Sequence, residues 1–220
     1  MRQLCLAVLL TLASVCPLHA AEAVSACRDA GIDPAYRARI DAIGRALGIP
    51  PDYALRHRMR LYPEQSNLRD GGRDVYGRRL RLAPDALAAL TRLIAAAGRD
   101  HIRLQAVSGY RSVHHQRALL EAKLARGMPL DDALAINAAP GYSEHQTGCA
   151  VDLTTPGVPA ADGRFARSKA YRWLLQHAGD YGFQLSYPPG NAYGIEFEPW
   201  HWRYRPALAP AGVASTPGVP

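Results

Sequence analysis

The sequence predicts an α+β fold with a small, mainly antiparallel sheet and helices packed on one side. Helical periodicity dominates the first part of the chain. Short alternating stretches mixed with helices follow, and a hairpin pattern closes the C-terminal part. No internal repeat is present, and the chain has the length of one domain with a sizeable core.

Asp33-Pro34 ahead of Tyr36, Ile40, Ile43 and Leu47 predicts a capped amphipathic helix. The Asp carboxylate accepts from a free N–H of the first turn, and Pro gives up an N–H that has no partner there. A second short helix is expected over residues 53–59. Residues 67–79, rich in Gly and Arg, read as a loop. Pro84 opens a third helix with Leu87, Leu90, Leu93 and Ile94 along one face. Residues 102–107 alternate and run into Ser108-Gly109-Tyr110, a strand ending in a turn. Ser112 caps the next helix, which carries Leu119, Leu120 and Leu124 and stops at Gly127; residues 130–136 form another.

Residues 149–153 read as a strand and 156–163 as a loop. Residues 168–177 read as a helix with Tyr171, Leu174 and Leu175 inward. A strand over 183–187, a turn over 188–191, and residues 195–197 with 201–204 as the last strand or strands complete the sheet. Residues 206–220, rich in Pro, Ala and Gly, read as a disordered tail.

The N-terminus reads as an export signal. Arg2 is the only charge before Glu22, residues 4–15 are apolar apart from Thr and Ser, and Ala20 offers a small residue at a cleavage point. That run is too short to span a bilayer, so a cleaved signal over 1–20 is expected and no membrane span after cleavage. Val15 and Pro17 argue against a lipidated Cys16. Cleavage leaves Cys27 and Cys149, which an exported chain could pair. Cys149, following a glycine into a buried strand, reads instead as a small apolar packing residue.

The chain carries 26 Lys+Arg against 19 Asp+Glu, a mildly basic balance that suits an anionic polymer such as a cell wall or outer-membrane surface. Residues 69–81 bring together Arg69, Arg73, Arg78, Arg79 and Arg81, but Tyr76 is the only aromatic among them. Without a stacking platform, and in an exported chain, a nucleic-acid partner is not expected.

The chemistry concentrates in three places. Ser143-Glu144-His145-Gln146-Thr147-Gly148-Cys149-Ala150-Val151-Asp152 puts His145 in a polar loop and Asp152 on a strand face shared with Ala150. An acid on an otherwise apolar strand needs a metal or an Arg as partner. Taken alone, His145 reads as a surface histidine and Asp152 as half of a salt bridge. Glu198-Pro199-Trp200-His201-Trp202-Arg203-Tyr204 adds an imidazole and a spare carboxylate. A straight strand would face Glu198 and His201 opposite ways, and Pro199 favours a bend that brings them to one site. Two His and an Asp can fill three corners of a zinc tetrahedron, with Glu198 beside the fourth as a general base. Ser108-Gly109-Tyr110-Arg111-Ser112, with Gln116 one turn on, places Arg111 at a strand-to-helix turn suited to an anion. The plain alternative is a structural Arg paired with Asp152 or Glu144.

These three motifs, in this order, resemble the signatures of the VanY-like D-alanyl-D-alanine carboxypeptidases, zinc peptidases of peptidoglycan. The resemblance covers roughly residues 82–204; the segment before it resembles nothing nameable. It implies a DD-peptidase/hedgehog-like zinc peptidase fold over 82–205; the residues ahead of it read, on their own pattern, as an N-terminal helical segment over 21–81. It implies His145, Asp152 and His201 as ligands of one Zn2+, Glu198 as catalytic base, and Arg111 binding substrate or transition state with Ser143, Gln116 and Tyr110. The expected activity is removal of the terminal D-alanine of peptidoglycan stem peptides in the periplasm or at the cell surface. An L,D-carboxypeptidase or an endopeptidase on the same polymer is the alternative, and a non-catalytic zinc-containing wall-binding module the second.

Overall fold

The computed structural model describes Cys27 and residues 31–206. The export signal over 1–20 and all but the first residue of the tail expected over 206–220 lie outside the described residues.

Helix α1 (Pro34–Ala46) starts as its sequence dictates, with Asp33 Oδ1 accepting from Ala35 N at 2.9 Å and Pro34 in the first turn. Helix α2 (Tyr53–Arg56) is a single turn. Residues 67–79 are not a loop. Strands β1 (Arg69–Arg73) and β2 (Arg79–Leu82) pair antiparallel, Arg69 opposite Leu82. The ladder was masked because only Leu80 and Leu82 of these strands are buried apolar residues. The hairpin's charges are largely satisfied locally. Arg78 pairs with Asp74, Arg79 with Asp70, and Arg73 donates to the Gly77 carbonyl.

Helix α3 (Pro84–Arg99), strand β3 (Gln105–Ser108), helices α4 (Val113–Leu124) and α5 (Leu130–Ala135), and strand β4 (Ala150–Thr154) follow. Helix α6 (Lys169–His177) and strands β5 (Phe183–Leu185) and β6 (His201–Tyr204) complete the fold. The main sheet has the order β3-β4-β6-β5 with every neighbour antiparallel. Val151, Leu153 and Trp202 pack with Leu90 and Leu93 of α3 and Leu174 of α6 in the principal core. A second cluster, Tyr53, Leu120, Ala133, Leu134 and Ala139, joins α2 to α4 and α5.

Three expectations are corrected. Leu175 is 56% exposed, and Trp173 turns inward in its place. The buried stripe of α6 is Ala170, Tyr171, Trp173 and Leu174, and Leu175, about 100° round from Leu174, lies past its edge. Trp173 also has a buried use for its polar edge, since Nε1 donates to Asp100 at 2.7 Å. Residues 195–197 form no strand: Glu196 N donates to the Ala135 carbonyl at 2.7 Å rather than to a ladder. Finally, Cys149 does not simply pack. It is disulfide-bonded to Cys27, 122 residues away. Disulfides typically stabilise by about 2–4 kcal/mol, and this one fastens Cys27 next to β4.

Candidate metal centre

Strand register assembles the first half of the site. Asp152 on β4 lies opposite His201 on β6, and Ala150 opposite Arg203. With a two-residue period, Asp152, His201 and Arg203 share one face of the sheet, while Val151 and Trp202 go to the core on the other. His145 comes from a short 3-10 turn, Glu144–Thr147, all four residues buried, and not from an exposed loop. Gly148 ends that turn at φ 66°, where a Cβ would stand 2.9 Å from Ala83 N. The β3–α4 turn closes against it. Gly109 lets the Arg81 carbonyl approach to where its own Cβ would be, and Arg111 N donates to the His145 carbonyl at 3.1 Å.

The two imidazoles are oriented from behind. His145 Nδ1 donates to the Gly109 carbonyl at 2.6 Å, which turns Nε2 toward Asp152 Oδ2 at 3.3 Å. His201 Nε2 donates to Glu144 Oε2 at 3.0 Å, which turns Nδ1 toward Asp152 Oδ1 at 3.2 Å. One ligand atom from each of His145, Asp152 and His201 lies within 4.8 Å of the others. Asp152 Oδ1 is buried and accepts no hydrogen bond, although His201 Nδ1 is close by. Short separation without hydrogen-bond alignment means that the atoms aim at a common third point. Two imidazoles and a carboxylate suit zinc, so the residues fit that ion.

The electrostatics agree. Burial by itself would raise the Asp152 pKa, but the imidazoles of His145 and His201 hold it well below the usual carboxylate range. Burial would lower His201, yet the adjacent Asp152 carboxylate and the hydrogen bond to Glu144 raise it to about 10. His145 is lowered, chiefly by burial.

Glu198 stands at the front of His201. Its Oε2 is 3.7 Å from His201 Nδ1, and the turn at Pro199 is closed by His201 N donating to the Glu198 carbonyl at 3.1 Å. The bend expected from Pro199 brings both residues to one site. Burial, with the nearby Asp152 charge, raises the Glu198 pKa to about 7. A cleft of about 340 Å³ opens here, lined by Glu198 and the three candidate ligands together with Arg111, Gln116 and Ser143.

Arg111 Nη1 donates to Gln116 Oε1 at 3.0 Å and Nη2 to Ser108 Oγ at 3.3 Å, with Asp152 Oδ2 3.8 Å away. Gln116 is buried and anchored in turn, its Nε2 donating to the Ala138 carbonyl at 2.7 Å. It holds the guanidinium. Tyr110 is absent from the cleft lining; the Arg81 guanidinium lies over its ring, 5.3 Å from the centroid. Alternation explains this, because a side chain next to Arg111 on an extended turn faces the other way.

Glu144, one of the two acids the motif offers as a plain partner for Arg111, binds instead Arg203 Nη1 at 3.1 Å, Ser186 Oγ at 2.5 Å, Tyr62 Oη at 3.3 Å and His201. Burial would raise its pKa, but the His201 hydrogen bond and the Arg203 charge hold it well below the usual range. A signal was present: Arg203 sits two residues from His201 on one strand, and so on the same face.

The family model described as VanY: D-alanyl-D-alanine carboxypeptidase matches residues 79–207. A D-alanyl-D-alanine carboxypeptidase of Enterococcus faecalis is 34% identical over 122 residues, 51% of this chain and 44% of that protein. The chain thus spans less than half the length of that relative. The bifunctional D-Ala-D-Ala dipeptidase and carboxypeptidase VanXYC of Enterococcus gallinarum is 37% identical over 141 residues, 60% of this chain and 68% of that one. Among solved structures, the LdcB LD-carboxypeptidase superposes with a TM-score of 0.58 at 30% identity, covering 64% of this chain and 69% of that one. VanYB in complex with D-alanine-D-alanine gives 0.52 at 31% identity, covering 65% and 78%. A further VanY structure, from a VanB-type resistance cassette and in complex with Zn(II), gives 0.51 at 30% identity, covering 64% and 82%. With three ligand atoms, a separate half-buried acid and a held guanidinium in one cleft, the chain belongs to the VanY D-alanyl-D-alanine carboxypeptidase family.

Proposed function

We propose that this protein is an exported zinc carboxypeptidase that removes the terminal D-alanine from peptidoglycan stem peptides in the periplasm or at the cell surface. The observation that carries this reading is the division of labour in the cleft. Three side chains complete an open ligand set, and Glu198 is left over beside it. A structural zinc site has no use for such an acid. The D-alanine-D-alanine held by VanYB, a relative at 31% identity, supports the substrate class.

His145 Nε2, Asp152 and His201 Nδ1 would hold the zinc, which supplies Lewis acidity, acidifying a water molecule and polarising the scissile carbonyl. Glu198 takes the proton from the attacking water and delivers it to the leaving amine. Its buried position keeps a carboxylate basic enough to accept near neutral pH. Arg111, held flat by Gln116 and Ser108, offers its remaining N–H groups to the oxyanion or to the substrate carboxylate. Ser143, buried in the same wall, presents a hydroxyl to the peptide.

An L,D-carboxypeptidase acting on tetrapeptides is the second reading, favoured by the superposition on LdcB. Purified pentapeptide and tetrapeptide stems, incubated with the protein and followed by mass spectrometry, separate the two. The proposal expects loss of one alanine from the pentapeptide, abolished by a chelator and restored by zinc. Shortening of the tetrapeptide alone selects the L,D reading. Wall binding that survives chelation, with neither peptide shortened, would reduce the protein to a binding module.

A further inference from the structure

Residues that precede the family match are stitched into the metal centre. The Tyr62 hydroxyl donates to Glu144 Oε1 at 3.3 Å, and the Arg203 guanidinium lies over its ring, 4.5 Å from the centroid. Tyr62 N donates to the Gly141 carbonyl at 2.8 Å and Gln65 N to the Gln146 carbonyl at 2.9 Å. The stretch 62–65 therefore runs along the segment that carries Ser143 and His145. Between these residues Glu64 Oε1 accepts from Val113 N at 2.7 Å, at the start of α4 behind Arg111. The stretch is itself held by α1, through Tyr36 Oη to the Tyr62 carbonyl and Arg39 to Glu64, both at 2.6 Å.

We propose that residues 62–65 are a brace for the metal centre, and that Tyr62 is a positioning residue for the ligand His201, acting through Glu144. The inference rests on the metal reading above. Glu144 fixes the direction of His201 by accepting from Nε2 with one oxygen, shared with Ser186, while Tyr62 and Arg203 hold the other oxygen. Tyr62 acts twice, as a donor to Glu144 and as the surface on which Arg203 rests. An imidazole rotated out of line with its metal binds it less well, and the groups that orient ligands are worth measurable affinity. The segment ahead of residue 79 is then part of the support of the site.

Tyr62→Phe in the full chain keeps the ring under Arg203 and removes only the hydroxyl. Metal-stripped protein would be titrated with zinc against a chromophoric chelator, and with cobalt(II) followed by its visible absorption. Zinc affinity should weaken about tenfold, in the range found when ligand-orienting groups are removed, and the cobalt spectrum should shift, with circular dichroism unchanged. Tyr53→Phe is the control. It removes two bonds of a residue likewise ahead of the family match but away from Glu144, Ala139 N to Tyr53 Oη and Tyr53 Oη to Met59 Sδ, both at 3.1 Å. It should lower the melting temperature and leave both metal readouts at the parent values. Parent-like zinc affinity and spectrum in Tyr62→Phe overturn the inference. An equal loss in Tyr53→Phe overturns it too, because general loosening would then suffice. Failure of the metal reading itself looks different: the parent would bind neither ion, and His201→Ala would change nothing.

Discussion

His201 has two sides, and the chain has placed a glutamate and an arginine on each. Behind it, Glu144 accepts four hydrogen bonds and pairs with Arg203, which is 2% exposed. In front, Glu198 and Arg111 line an open cleft, and Glu198 has His201 as its near neighbour at 3.7 Å. The two acids are the same residue type, Glu144 fully buried and Glu198 partly so, yet their pKa values move in opposite directions. Burial pushes both up. Glu144 escapes because donors and a guanidinium are aimed at it, whereas Glu198 lacks them and stays basic. A fully bonded carboxylate orients its neighbours, and an under-bonded one is free to exchange protons.

Substitutions that treat the two sides alike would break this contrast. Glu198→Gln has the largest expected effect: turnover should fall by roughly 10²–10⁴-fold, the usual range for losing a general base, while zinc content by atomic absorption stays at the parent level. A Glu198→Gln protein within a few-fold of the parent rate would place the base elsewhere. Glu144→Gln should act through the metal instead, weakening zinc affinity by about 10–100-fold. Its turnover should recover when zinc is added in excess, and failure to recover would give Glu144 a part in the chemistry.

The arginines sharpen the contrast further. Arg111→Lys keeps the charge but loses the planar fork, so turnover should drop about tenfold with an unchanged melting temperature. Arg203→Lys leaves part of the Glu144 pairing unmade inside the fold, at a cost of about 1–3 kcal/mol, and should show first in thermal unfolding. If Arg111→Lys instead lowers the melting temperature and leaves the rate untouched, Arg111 belongs with the structural side.

Much of the front side was legible in the chain, and little of the back. His145, Asp152, Glu198 and His201 stand in compact motifs whose family resemblance supplied their expected roles, and the bend at Pro199 follows from a residue that cannot join a ladder. Glu144 stands next to His145 in the same motif, but nothing local says that its partners come from residues 62, 186, 201 and 203. Tyr110 lies off the cleft lining for a related reason: membership in a motif does not fix the direction of a side chain.

By itself the sequence determined what is settled within a turn or two of backbone. It set the Asp33 and Ser112 caps and the apolar stripe of α3. Those depend on neighbours a few residues apart, whose geometry the peptide itself imposes. Only the tertiary structure decided that Asp152 pairs in register with His201, that Cys27 reaches Cys149, and that Tyr62 reaches Glu144. Each of these joins positions far apart in the chain, and packing of the whole core selects them from the many pairings that residue types alone would allow.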